Sequence, residues 1–186
     1  MRFIEGFLSP GQAHDLLAQL EDSDWIEWQR ETFRIFGRQV DAPRTLSLFG
    51  DAGLNYRYTG SDHRAVGWPE PLQRLKTRVE QAAGQVVNFL LLNRYVDGSE
   101  YMGWHRDDEH GCRGDIASLS LGAPRRFSID QSISQQQARR QTLALGNGSL
   151  LVFDGRQRHC LRATKKPCGV RINLTFRLIS LSLIHI

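Results

Sequence analysis

The chain has 186 residues, 40% of them hydrophobic and 24% charged, an ordinary globular usage that excludes a disordered tail, a fibre or a collagen-like chain. That length reads as one domain over residues 1–186 and is enough to bury a core without disulfide or metal staples. The net charge is +4, but it is unevenly placed: residues 1–35 hold seven acidic and three basic side chains, whereas residues 156–177 hold seven basic and no acidic ones. A solvated face and the footprint of a polyanion both fit such a run.

In chain order, the opening MRFIEGFLSPGQ has no apolar stretch of the secretory kind. Ser9-Pro10 starts a helix, with Ser9 as cap, Pro10 at the first turn and Gln12 completing a capping box. Ala13, Leu16, Leu17 and Leu20 then fall on one face. A second helix begins near Pro69 or Pro71, buries Leu72, Leu75 and Val79, and ends at Gly84. The remainder reads as strands: Val86–Tyr95, Ile116–Leu121, Arg126–Ile129, Leu143–Leu145, Ser149–Phe153 and Val170–Leu178. In the last, Val170, Ile172, Leu174, Phe176 and Leu178 face one way and Arg171, Asn173, Thr175 and Arg177 the other. Asn147-Gly148 marks a tight hairpin, and Gln131–Gln141 reads as an exposed connection. Ser180–Ile186 either extends the last strand or is an appended tail. No apolar run approaches ~18 residues, so no membrane-spanning helix is expected. Three cysteines (Cys112, Cys160, Cys168), odd in number and without CxxC pairing, fit a reduced, cytosolic compartment. Helices first and many short strands after them predict a mostly β, α+β domain, a β-sandwich or jelly roll buttressed by N-terminal helices.

Three constellations can carry chemistry. His105 and Asp107, at i and i+2, project to one side of an extended segment, and His159 is a candidate third ligand. Two His and one carboxylate form the facial triad of non-heme Fe(II) oxygenases, although zinc accepts the same set. Arg171 and Arg177 share a strand face with Asn173 and Thr175. That stripe is either solvated or turned inward, where two guanidiniums require anions. A small dicarboxylate would satisfy them, and Asn93 and Tyr95, on one face of their own strand, can add hydrogen bonds. Lastly, Tyr56 and Tyr58 flank Arg57, a pattern that suits either stacking on nucleobases or ordinary sheet packing. Phe33, Ile35 and Phe36 before Gly37-Arg38 form either a wedge for a base stack or a buried strand. Asp108 and Glu109 adjoin the ligand motif, placed to meet an exocyclic amine or simply solvent.

Taken together, Asn93-Arg94-Tyr95, the HRDDE string at 105–109, Ser149-Leu150-Leu151, His159 and RINLTFR at 171–177 resemble the AlkB family of Fe(II)/2-oxoglutarate-dependent dioxygenases, in the branch that contains the nuclear DNA-repair homologues. The likeness extends through Phe36-Gly37-Arg38 and Gly50–Tyr58 and covers roughly residues 33–179. It implies a double-stranded β-helix (jelly-roll) core over about 86–179, preceded over about 1–85 by helices and a nucleotide-recognition lid. It implies Fe(II) on His105, Asp107 and His159. The distal carboxylate of 2-oxoglutarate would lie on Asn93, Tyr95 and Arg171, with Asn173, Thr175 and Arg177 at the proximal end or pocket wall. It further implies that Tyr56, Arg57 and Tyr58 form the lid over a flipped base, that Asp108 and Glu109 lie beside the damaged base, and that Phe36 is an intercalating finger. Gly37, Arg38, Arg44, Lys165 and Lys166 would lie at the backbone of the nucleic acid. The implied reaction uses O2 and dealkylates N1-methyladenine or N3-methylcytosine in single- or double-stranded DNA, or in RNA, releasing formaldehyde, succinate and CO2. The implied enzyme is a monomer without membrane attachment, cytoplasmic, or nuclear in a eukaryote. Two positions depart from the pattern: Tyr58 stands where Phe is common, and Cys160 where a bulky aromatic is common. The competing readings are an oxygenase of protein, lipid or RNA, a binding module that has lost turnover, and a zinc site on a cupin-like barrel.

Overall fold

The computed structural model describes residues 1–35, 37–58, 61–108, 111–132 and 139–180. In chain order the elements are β1 (Arg2–Ile4), α1 (Pro10–Asp22), β2 (Thr32–Ile35), β3 (Arg38–Asp41), β4 (Thr45–Gly50), β5 (Asn55–Tyr58), β6 (Ser61–Arg64), α2 (Glu70–Ala83), β7 (Phe89–Tyr95), β8 (Met102–His105), β9 (Cys112–Gly122), β10 (Arg125–Asp130), β11 (Arg140–Leu145), β12 (Ser149–Phe153), β13 (His159–Leu161) and β14 (Arg171–Ile179).

Two antiparallel sheets face each other. The larger has the order β1-β12-β9-β14-β7-β4 and the smaller β11-β10-β13-β8. Apart from β10 and β11, strands adjacent in these two sheets are not consecutive in sequence, as expected of a jelly roll. Both predicted helices begin near the expected residues, and the second ends at Gly84 as expected. Ser9 Oγ accepts from the Gln12 amide while Gln12 Oε1 accepts from the Ser9 amide, the two halves of a capping box. α2 closes with the Gly84 amide donating to the Glu80 carbonyl.

Both faces of the large sheet are covered. Leu90 and Leu92 of β7, Ala117 and Leu119 of β9 and Ile172, Leu174 and Phe176 of β14 pack with Ala13 and Leu20 of α1 and Leu72, Leu75 and Val79 of α2. Tyr95, Ile116 and Leu151 on the opposite face pack with Phe127, Ile129 and Leu161 of the small sheet. This settles the stripe on β14: it is not solvated, because Arg171, Thr175 and Arg177 are all buried on the face turned to the second sheet. The alternation breaks at its end, where the pairing of β14 with β9 shifts between Phe176 and Leu178.

Several pieces differ from the sequence expectation. β1 and β4, not foreseen, form the two edges of the large sheet. β11 starts at Arg140, inside the segment expected to be a connection, because its pairing with β10 runs out to Asp130↔Arg140. Residues 133–138 of that connection, and residues 181–186, lie outside the described residues. β2 and β3 form a separate hairpin whose second strand is exposed at all four residues. Gly37, just before β3, has φ 79°, a backbone region open to glycine at little steric cost.

Candidate metal centre and its pocket

Asp107 is fixed by its backbone before its side chain is considered. Its amide donates to the Gly155 carbonyl at 2.8 Å, and a Cβ on Gly155 would lie 2.9 Å from the Asp107 carbonyl oxygen. Only a residue without a side chain fits there. His105 and His159 are register partners across β8 and β13, so antiparallel pairing alone brings two residues 54 positions apart in sequence side by side. His105 Nδ1 donates to the Gly103 carbonyl and His159 Nδ1 to the Gln157 carbonyl, each at 2.8 Å. Both rings therefore present Nε2 to Asp107, at 3.6 and 3.5 Å from its two oxygens. Such backbone acceptors are the usual device for fixing the tautomer and direction of metal-binding imidazoles. The ligand atoms of all three residues lie within 4.8 Å of one another.

Arg177 completes the group, with Nη2 at 2.9 Å from Asp107 Oδ2. Burial by itself would raise the Asp107 pKa. The Arg177 guanidinium, with the hydrogen bond and charge of His159, overcomes that and holds the carboxyl well below the usual carboxylate range. The His105 pKa is lowered, first by burial and then by His159. The result is two imidazoles and one carboxylate converging on a point. Phe127 and Phe153 stand 5.5 and 4.9 Å from the His159 ring.

One cavity joins these residues to Asn93, Tyr95, Arg171, Asn173, Thr175 and Arg177. Arg171 is 2% exposed. Its Nη2 donates to Ser120 Oγ at 3.0 Å, while Nε and Nη1 have no hydrogen-bond partner among the described residues. Burial lowers its pKa to about 10, so it remains a cation at neutral pH. A buried guanidinium with two open N–H groups is costly unless an anion occupies the cavity. Asn173 lines the same cavity with its polar atoms engaged. Its Nδ2 donates to Ser118 Oγ and the Leu119 carbonyl, and its Oδ1 accepts from Thr175 Oγ1. It is a wall that fixes Thr175.

Sequence reasoning missed Ser118, Ser120, Gly155, Phe127 and Phe153. For the serines a signal existed: they alternate inside the apolar run of β9, as inward polar residues do. For Gly155 none did, since its role comes from a close approach between segments distant in sequence.

One expected role is corrected. Arg44 was expected to meet phosphate, but it is 4% exposed. It lies 3.5 Å from Glu31 Oε2 and donates from Nε to Asn93 Oδ1 at 2.6 Å. A guanidinium enclosed this way serves the interior. Asp108, by contrast, is exposed beside Asp107, and Gly37 and Arg38 are exposed at the β2–β3 hairpin. Tyr56, Arg57 and Tyr58 lie on β5, paired with His63, Asp62 and Ser61 of β6. Phe36 and Glu109 fall outside the described residues.

Residues 1–177 match the family described as the 2OG-Fe(II) oxygenase superfamily. The chain is 38% identical over 157 residues to the mouse protein named DNA oxidative demethylase ALKBH2, covering 78% of this chain and 66% of that one. It is 33% identical over 183 residues to the human protein of the same name, with 92% and 70% covered. It is also 28% identical over 186 residues to human alpha-ketoglutarate-dependent dioxygenase alkB homolog 3, with 94% and 64% covered. The chain thus spans about two thirds of the length of these curated relatives. Among solved structures, OsALKBH1 superposes with a TM-score of 0.63 at 16% identity, covering 95% of this chain and 96% of that one, a likeness of fold.

Proposed function

The chain belongs to the 2OG-Fe(II) oxygenase superfamily, and on that premise we propose that it removes N-alkyl groups from nucleobases in DNA by oxidation. The family's chemistry uses Fe(II), 2-oxoglutarate and O2, and the residues present fit those groups. Two imidazoles and one carboxylate are the donor set of a non-heme iron site with open positions. The open N–H groups of buried Arg171 match a carboxylate. That pairing, a three-ligand cluster and an unsatisfied cation in one cavity, is the observation that carries the proposal.

His105, Asp107 and His159 would hold the iron. Arg171, with Tyr95 and the amide of Asn93, would take the distal carboxylate of 2-oxoglutarate. Held there, iron would let O2 oxidise 2-oxoglutarate to succinate and CO2 and, with its second oxygen atom, an N-methyl group to N-hydroxymethyl, which departs as formaldehyde. The chain's own part is positional and electrostatic. Arg177 keeps Asp107 ionised, the Gly103 and Gln157 carbonyls aim the two imidazoles, and the apolar side chains of Phe127, Phe153 and Leu161 exclude water.

The substrate side is read from placement. Asp108, and Glu109 after it, adjoin a ligand and would face a cationic lesion such as N1-methyladenine or N3-methylcytosine. Tyr56 and Tyr58, with Arg57, would cover a flipped base. Phe36, next in sequence to Gly37, would fill the gap left in a duplex, with Gly37 and Arg38 at the neighbouring phosphates. Flipping costs a few kcal/mol, and less at a lesion that already weakens pairing. Both lesions block Watson–Crick hydrogen bonds, so such an enzyme gains selectivity from the DNA itself. A monomer is sufficient for every role named.

The test is turnover of an oligonucleotide carrying one N1-methyladenine, after anaerobic Fe(II) loading and addition of oxygen, with product mass and succinate both measured. Loss of one methyl group coupled to succinate, abolished in His105→Ala, is the expected result. Succinate without demethylation would retain the oxygenase and reject the DNA substrate, leaving RNA, protein or lipid. Neither product from iron-loaded protein would reject catalysis.

A further inference from the structure

We propose that Arg44 is a positioning residue for the cosubstrate: it orients the Asn93 amide so that its NH2 faces the dicarboxylate pocket, and it does so from the base of the β2–β3 hairpin. The inference rests on the assignment of that pocket to 2-oxoglutarate. An asparagine amide has one accepting and one donating end, and only the donating end is useful against a carboxylate. Asn93 lies on the inner face of β7, opposite Asn173, and lines the cavity. Arg44 Nε donates to Asn93 Oδ1 at 2.6 Å with both side chains buried. Holding the oxygen leaves NH2 as the end the amide offers to the pocket. A flipped amide would set donor against donor at Arg44 and oxygen against a bound carboxylate, both unfavourable in a buried site.

Arg44 is itself held in place. Glu31 Oε2 lies 3.5 Å from its Nη2, and Glu31 immediately precedes β2. The Glu31 carbonyl accepts from the Ala42 amide at 2.7 Å, closing the hairpin base just after β3. Arg30 reaches from the Ala42 carbonyl at 2.7 Å to Glu100 Oε1 at 2.8 Å, and Glu100 Oε2 accepts from the Val96 amide at 2.7 Å. The hairpin is therefore fastened on two sides to the end of β7 that carries Asn93 and Tyr95.

The experiment is calorimetric titration of the full chain loaded with Mn(II), using 2-oxoglutarate and, separately, pyruvate, a keto acid without the second carboxylate. Arg44→Met is expected to weaken 2-oxoglutarate about tenfold, the scale of one hydrogen bond to a charged group, with Mn(II) and pyruvate affinity within about twofold of wild type. Asn93→Ala should weaken 2-oxoglutarate similarly, and the double variant no further, since the two act as a unit. Arg44→Lys should recover part of the loss. In steady state the KM for 2-oxoglutarate should rise with kcat nearly unchanged. If Arg44→Met does not fold, Arg44→Gln carries the same expectation. Unchanged 2-oxoglutarate affinity overturns the proposal, as does an equal loss for pyruvate or Mn(II), which would mark general damage. Wild-type protein that binds Mn(II) but no 2-oxoglutarate would overturn the pocket assignment and this inference with it.

Discussion

Asp107→Asn in metal-free protein isolates the electrostatics of the centre from its chemistry. The substitution keeps the shape of the side chain and removes its charge. Arg177, 1% exposed and 2.9 Å from Asp107 Oδ2, then keeps its buried charge without the carboxylate. Removing one member of a buried pair costs about 3–5 kcal/mol. For a chain of 186 residues each kcal/mol shifts the melting temperature by roughly 2–4 °C, so a fall of ~6–20 °C is expected in the presence of chelator. Arg177→Met on that background removes the buried cation as well and should recover most of the loss. The pH dependence follows from the direction of the Asp107 shift. A carboxyl whose folded pKa is depressed contributes stability that is full above its unfolded pKa of about 4 and is lost as pH falls towards the folded value. The gap between wild type and Asp107→Asn should therefore be constant near neutrality and narrow below about pH 4. A metal-free Asp107→Asn protein melting within ~2 °C of wild type would refute the reasoning that Arg177 depends on this carboxylate.

Three further outcomes are expected. Arg171→Met should leave metal-free protein as stable as wild type or more so, because a buried cation with open N–H groups is replaced by an apolar chain, while 2-oxoglutarate no longer raises the melting temperature; a marked drop in metal-free stability would contradict this. Gly155→Ala should displace the Asp107 backbone, lowering Fe(II) affinity in a metal titration by tenfold or so, and unchanged affinity would show that the close approach does not matter. Phe36→Ala should reduce activity on duplex substrate more than on single strands, since only a duplex leaves a gap to fill; equal loss on both would remove the finger assignment.

The local grammar of the chain was legible directly. Ser9, Pro10 and Gln12 set the start of α1, and the alternation of Arg171–Arg177 set a strand with two chemically distinct faces, because capping and side-chain periodicity depend on neighbours a few residues away. The HRDDE and RINLTFR strings pointed to the chemistry through their resemblance to the AlkB family, since the spacing of His105, Asp107 and His159 alone fits zinc as well as iron. What the linear sequence left open was which face is inside. Arg171 and Arg177 read equally as solvated or buried until the second sheet was placed over them. The resemblance implied a phosphate contact for Arg44, because a linear sequence does not show the Glu31 and Asn93 that enclose it. Gly155 carried no signal at all. The His105–His159 pairing, the Gly155–Asp107 contact and the Arg44–Asn93 hydrogen bond each join residues about fifty positions apart. Only the crossing of strands between sheets decides which distant residues meet, so these features belong to the tertiary structure.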